Sequence, residues 1–120
     1  MASTFRDLRV WQEAMELTVQ VYKSTAVFPR TETYGLAQQM QRAAVSVPSN
    51  IAEGKGHHSN KEFVHFLLHA RVSLWELQTQ ILLSEQLTYI SKEQGSRLLT
   101  IAENVSRALN GLITSMSASA

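Results

Sequence analysis

Cysteine is absent from this 120-residue chain, which excludes disulfides, a thiolate metal site and a cysteine nucleophile. No run of about 18 apolar residues occurs, the least that a membrane-crossing helix requires; no span and no membrane partner are therefore expected. An excess of charge of either sign is also lacking. Lys and Arg number 11 against 10 Asp and Glu, a net +1, so the chain as a whole exerts no pull toward nucleic acid or a lipid surface. Any such binding needs a local basic patch whose Lys and Arg release counterions. Period-two alternation is missing, which removes strands from the expectation. The segment Met-Ala-Ser-Thr-Phe-Arg-Asp lacks the apolar centre of a signal peptide, so the expected location is the cytoplasm. There is no phosphate-cradling glycine loop and no strand-turn-helix elbow to expose a serine nucleophile.

What is present is helical periodicity, in four segments. The first covers about residues 7–25. Leu8, Trp11, Met15, Val19 and Tyr22 form one apolar stripe there, and Val10, Ala14, Leu17 and Val21 form a second beside it. Phe28-Pro29 ends this segment, because proline disfavours helix in the residue before it. The second covers about 33–53, on Leu36, Met40, Ala43, Val47 and Ile51, after which Gly54 and Gly56 release the chain.

Ser59-Asn60-Lys61-Glu62 is a capping box that opens the third segment, about 60–87. Its Phe63, Leu67, Ala70, Leu74, Leu77 and Ile81 alternate spacings of four and three, the seam of a bundle. Ser91-Lys92-Glu93-Gln94 is a second box, opening the fourth segment, about 92–114, and the tail from Ser115 is expected to fray. The expected fold is all-α, an antiparallel up-and-down four-helix bundle forming a single domain over residues 1–120.

The third segment carries a further apolar line, Leu68, Val72, Trp75 and Leu82, about one 100° step round from its seam. One helix of a monomeric bundle needs a single wide stripe. This line is therefore the expected oligomer interface, and a homo-oligomer is the expected state.

Proline is scarce, 2 residues in all, and one of them, Pro48, falls inside the second segment. There it removes a backbone hydrogen bond at a cost of roughly 3 kcal/mol, and a kink or interruption is expected. Ser46, Ser49, Asn50 and Glu53 form a polar cluster around it, with Ser46, Asn50 and Glu53 on one face. Their expected role is structural: the hydroxyls and the amide satisfy carbonyls that the proline frees, and Glu53 pairs with Arg42 or caps a neighbouring helix. One carboxylate in such a cluster lacks the acid–base pair of an enzyme, and no catalytic residue is assigned.

All four histidines lie between His57 and His69. Glu62-Phe63-Val64-His65 matches one Glu-x-x-His motif, but di-iron bundles need two copies and further glutamates. His65 and His69 also lie away from the seam, beyond the reach of a bundle-core metal. No metal or cofactor is expected. Arg42, Lys55, His57, His58, Lys61 and Arg71 form a weak basic patch, the candidate nucleic-acid site, which strengthens as the imidazoles charge.

These features in this order resemble a known family. The stretch Ser46-Val47-Pro48-Ser49-Asn50-Ile51-Ala52-Glu53-Gly54 carries most of the resemblance. Phe5 with Leu8 and Trp11, Phe28-Pro29, Tyr34-Gly35-Leu36, Gln39 and Arg42 precede it. Ser59, Glu62-Phe63, Phe66-Leu67, Ser73-Leu74, Glu76-Leu77 and Thr79-Gln80 follow. Over about Phe5 to Ile113 the chain resembles the bacterial four-helix bundles encoded within intervening sequences of 23S rRNA genes, also labelled S23 ribosomal proteins. It is similar, too, to the accessory protein of diversity-generating retroelements, which partners a reverse transcriptase and binds nucleic acid.

The resemblance implies a closed ring, commonly a pentamer, and no enzymatic activity. The chain departs from the pattern at Lys55-Gly56-His57-His58, where relatives often carry arginines, at Val72, where glycine is common, and at Gln78, where glutamate is common. The expectation is a non-enzymatic oligomeric binding or scaffold protein whose partner is RNA or DNA. The alternative is an adaptor ring that recruits another protein.

Overall fold

The computed structural model describes residues 4–118; the first three residues of the N-terminal segment and the last two of the polar tail lie outside the described residues. Four helices make up the fold: α1 (Arg9–Thr25), α2 (Leu36–Lys55), α3 (Asn60–Gln86) and α4 (Lys92–Ala118). Each packs on its successor and α1 closes on α4, giving an all-α bundle 45 Å long and 22 Å across. No strand is found among the described residues.

Local chemistry sets the boundaries. Thr4 and Asp7 form a reciprocal capping box over a short 3-10 turn, Phe5–Asp7, ahead of α1. The expected box at Ser91 is complete: Gln94 N–H donates to Ser91 Oγ (3.1 Å) and Ser91 N–H to Gln94 Oε1 (2.9 Å). At Ser59 the hydroxyl accepts from Glu62 N–H (3.1 Å). α4 does not fray at Ser115 but runs to Ala118, because half-buried Met116 packs against the core and carries the helix on.

α2 starts later than its periodicity suggests. A second 3-10 turn, Arg30–Glu32, intervenes, and Glu32 Oε1 then accepts from the free Leu36 N–H (3.0 Å), standing in for a capping side chain. Its other oxygen accepts from Tyr89 Oη (2.8 Å), which ties the start of α2 to the α3–α4 turn. The Leu36 N–H, then Tyr89, hold the Glu32 carboxyl below the usual carboxylate range; Glu32 in turn pushes the Tyr89 phenol up. In that turn Thr88 adopts φ 60°, and Thr88 and Tyr89 N–H bond back to Glu85 and Ser84 carbonyls. This is the helix-ending arrangement that usually employs glycine.

The core lies along the four inner stripes. All six seam residues of α3 are buried, from Phe63 to Ile81, and Met40, Val47 and Ile51 meet them from α2. The two apolar stripes of α1 have different fates, although Leu8 and Trp11 of the first also pack against the core. Val10, Ala14, Leu17 and Val21 are the core line, whereas Met15, Val19 and Tyr22 face outward.

Helix α2 runs through Pro48 without interruption. Proline cannot donate to the Ala44 carbonyl four residues back. Neither the serines nor Asn50 replace that donor. Thr18, on α1, shares its one hydroxyl proton between two carbonyls, Ala14 O of its own helix (2.8 Å) and Ala44 O (3.0 Å). The repair is therefore tertiary, one helix satisfying a carbonyl freed in its neighbour. Thr18→Val keeps the shape and removes the donor; it is expected to destabilise by about 1–3 kcal/mol, the cost of a carbonyl left without a partner. A urea titration that shows no change in midpoint would assign Ala44 O to solvent instead.

Candidate assembly faces and basic end

Three surfaces stand apart from the core. On α3 the line expected to face another subunit is outside: Val72, Trp75 and Leu82 are 56, 53 and 49% exposed, with Leu68 half-buried. The seam commits the neighbouring face of α3 to the core and leaves about half of each of these three side chains open to solvent. Arg71 lies beside them; its guanidinium stands 5.3 Å from the Trp75 ring centre and donates to Asn110 Oδ1 of α4 (3.3 Å). Its Nε is buried with no hydrogen-bond partner among the described residues. The α3 face is thus the α3–α4 edge of the bundle.

The second surface lies along the α1–α2 edge. An open groove runs there in two parts that meet at Val45: Trp11, Met15, Pro48 and Ala52 line the more apolar part, and Tyr22 with Gln38, Gln41 and Arg42 lines the other. Trp11 is braced by Phe5, edge-on at 5.2 Å. In a four-helix square the α1–α2 and α3–α4 edges are opposite sides. The groove was legible only in part: Met15 and Tyr22 belong to an apolar stripe, but Val45 gave no sign of joining them.

The polar cluster divides. Ser46 Oγ and Ser73 Oγ are 2.8 Å apart across α2 and α3, and Asn50 Nδ2 donates to Ser46 O (2.8 Å) and Ser46 Oγ (3.0 Å). Three residues thus make a polar stitch between two helices, and Ser73, its α3 member, is the one the α2 sequence could not announce. Ser49 and Glu53 are exposed and stand outside it. Among the described residues the ion pair is Arg9 with Glu13 (3.9 Å), not Arg42 with Glu53.

The basic patch also divides. Lys55, His57, His58 and Lys61 gather at one end of the bundle, where α2 passes into α3. The Lys55 ammonium lies 5.9 Å from the Phe63 ring centre and His57 stacks on Phe66 at 4.9 Å. Arg42 is exposed on α2, about 20 Å along the helix from Lys55 at 1.5 Å per residue. Arg71 is held at the α3–α4 edge. The end therefore carries four of the six expected residues, joined by His65 and His69, whose Nε2 atoms are 3.3 Å apart. No group of three or more His, Cys, Asp or Glu converges on a metal position among the described residues.

The fold is thus an all-α four-helix bundle with two apolar edges and a basic end. The family of 23S rRNA-intervening sequence proteins matches residues 6–111, and the chain belongs to it. Among solved structures, a protein of unknown function from the S23 ribosomal protein family of Bacteroides thetaiotaomicron is similar, with a TM-score of 0.78 at 21% identity. The match covers 87% of this chain and 97% of that one, and at this identity it speaks for the fold alone. No curated protein matches. Neither match extends to the accessory protein of diversity-generating retroelements. No helix among the described residues is long and apolar enough to cross a membrane.

Proposed function

We propose that this protein is a self-assembling binding scaffold and not an enzyme: a closed homo-oligomeric ring that presents its basic end to RNA or DNA. One observation supports the reading above the others. The bundle carries two different unpartnered apolar faces on opposite edges, the Val72–Trp75–Leu82 line and the Met15–Tyr22–Val45 groove. A two-fold dimer needs one self-complementary face; two different faces on opposite sides are what a head-to-tail contact needs, and such contacts make a ring when the rotation between copies closes. Covering each half-exposed Trp, Leu or Val side chain recovers roughly 1 kcal/mol. A pentamer is the count that the family resemblance implies.

The gathering of Lys55, His57, His58 and Lys61 at one end supports the nucleic-acid partner. A ring repeats that end on every subunit, so a weak patch gains through avidity. Light scattering after size exclusion is expected to give a multiple of the 13.5 kDa chain mass. Anisotropy titrations with structured RNA and duplex DNA are then expected to show affinity falling with salt. The logarithmic slope on duplex DNA should be about 2 per engaged subunit if Lys55 and Lys61 carry the phosphate contacts. A clean monomer at micromolar concentration would remove the scaffold. An intact ring with no binding at about 50 mM salt, where counterion release favours it, would make the partner a protein.

A further inference from the structure

We propose that His65 and His69 form a surface chelate for a late first-row transition-metal ion, of the Zn(II), Ni(II) and Cu(II) class. They stand four residues apart on α3, with ring centres 4.6 Å apart, planes at 86° and Nε2 atoms 3.3 Å apart. Two imidazoles bound side by side at about 2.0–2.1 Å from a metal place their nitrogens roughly 2.9–3.4 Å apart, from right-angled to tetrahedral geometry. The pair spans that distance already, so an ion can enter without moving the backbone. The same outward placement that keeps these rings from a bundle-core metal gives a surface ion access to them, since both are exposed.

The rings are also held. Phe66 meets His65 edge-on at 5.6 Å and 79°, and His57 stacks on Phe66 at 4.9 Å and 22°. A His57–Phe66–His65–His69 array thus packs side by side, which restrains the ring rotations that would separate the donors. In the neutral pair the 3.3 Å contact is a hydrogen bond when one ring carries its proton on Nε2 and the other on Nδ1. On metal binding the donor ring carries its proton on Nδ1 instead, exchanged through water, and both Nε2 lone pairs bind the ion with no net proton lost. Two protein ligands leave the remaining positions to water, so the site is open and exchangeable. Imidazole donors favour Cu(II), Ni(II) and Zn(II), while Mg(II) takes oxygen ligands.

Calorimetric titration of the intact protein with NiCl₂ at about pH 7.5, above the ordinary imidazole pKa, is expected to show one Ni(II) per chain at micromolar concentration. MgCl₂ is expected to give no binding. His65→Asn and His69→Asn should each weaken Ni(II) binding by about tenfold or more, whereas His58→Asn, an exposed histidine outside the pair, should leave it unchanged. Circular dichroism checks that each variant keeps its helices. Unchanged binding in His65→Asn, or a loss in His58→Asn as large as in His69→Asn, would overturn the chelate.

Discussion

Gly54→Ala is expected to lower the unfolding free energy by about 1–3 kcal/mol, the range for forcing extra atoms into a packed interior. The sign runs against helix propensity, which favours alanine over glycine by about 1 kcal/mol inside a helix. Gly54 lies within α2, where its missing side chain lets α3 approach. A Cβ there would stand 2.7 Å from Phe66 Cβ and 2.9 Å from Phe63 Cδ1, with Phe63 O at 3.2 Å. Phe63 is buried, and the carbonyl is backbone of α3, so neither can yield cheaply. The end of α2 and the start of α3 would have to part, and that junction carries Lys55, His57 and the Phe66 stack.

Gly56→Ala is the matched comparison. Its nearest neighbour would be 3.4 Å away and its backbone is already helical, so the change should be neutral or stabilising. Urea melts of the two variants side by side decide the matter. Gly54→Ala melting at or above the parent would mean that the helices are free to separate.

Gly54 marks where reading the sequence stops short of the structure. Its place after a helical stripe suggested a chain-release point, and a glycine that ends a helix looks the same in sequence as one that admits a neighbour. The bundle itself was legible because its signals are local. The four-three alternation from Phe63 to Ile81 is a one-dimensional pattern, and all six of its residues are buried. The Ser91 box is a four-residue pattern, and both of its hydrogen bonds form.

What the sequence could not supply was whatever depends on which helix lies beside which. Pro48 announced a carbonyl in need of a donor, but the donor is Thr18, 26 residues from Ala44. Ser46 and Asn50 were legible as a pair, but the member that makes them a stitch, Ser73, lies across the helix interface. On α1 both stripes are apolar and adjacent, and periodicity cannot rank them. The packing of α2 and α4 against one side makes Val10–Val21 the core and leaves Met15 and Tyr22 outside. The same limit applies to the basic patch. Sequence proximity placed Arg71 with the histidines, but the two residues from His69 to Arg71 are a step of about 200° round α3, which carries it to the other flank, where Asn110 and Trp75 hold it.

Two neighbouring positions on α3 should separate folding from assembly. Leu74 has no exposed surface, whereas Trp75 is 53% exposed. Leu74→Ala opens a cavity at the centre of the seam and is expected to cost about 2–5 kcal/mol. Against a total stability of about 5–15 kcal/mol this is a large fraction, and a melting point lower by about 10 °C or more should follow. Trp75→Glu places a carboxylate on the face proposed to meet another copy. Within one bundle that side chain can stay in water, so the helical signal should persist. Between two copies it would be a charge buried without a partner, which association cannot absorb. Light scattering of Trp75→Glu is therefore expected to give 13.5 kDa at concentrations where the parent is multimeric, with circular dichroism unchanged. Leu74→Ala should show the reverse, a lowered melting point with its mass retained below it. A Trp75→Glu protein that keeps the parent's multimeric mass would show that the subunits meet through another face, and the head-to-tail ring would fall with it.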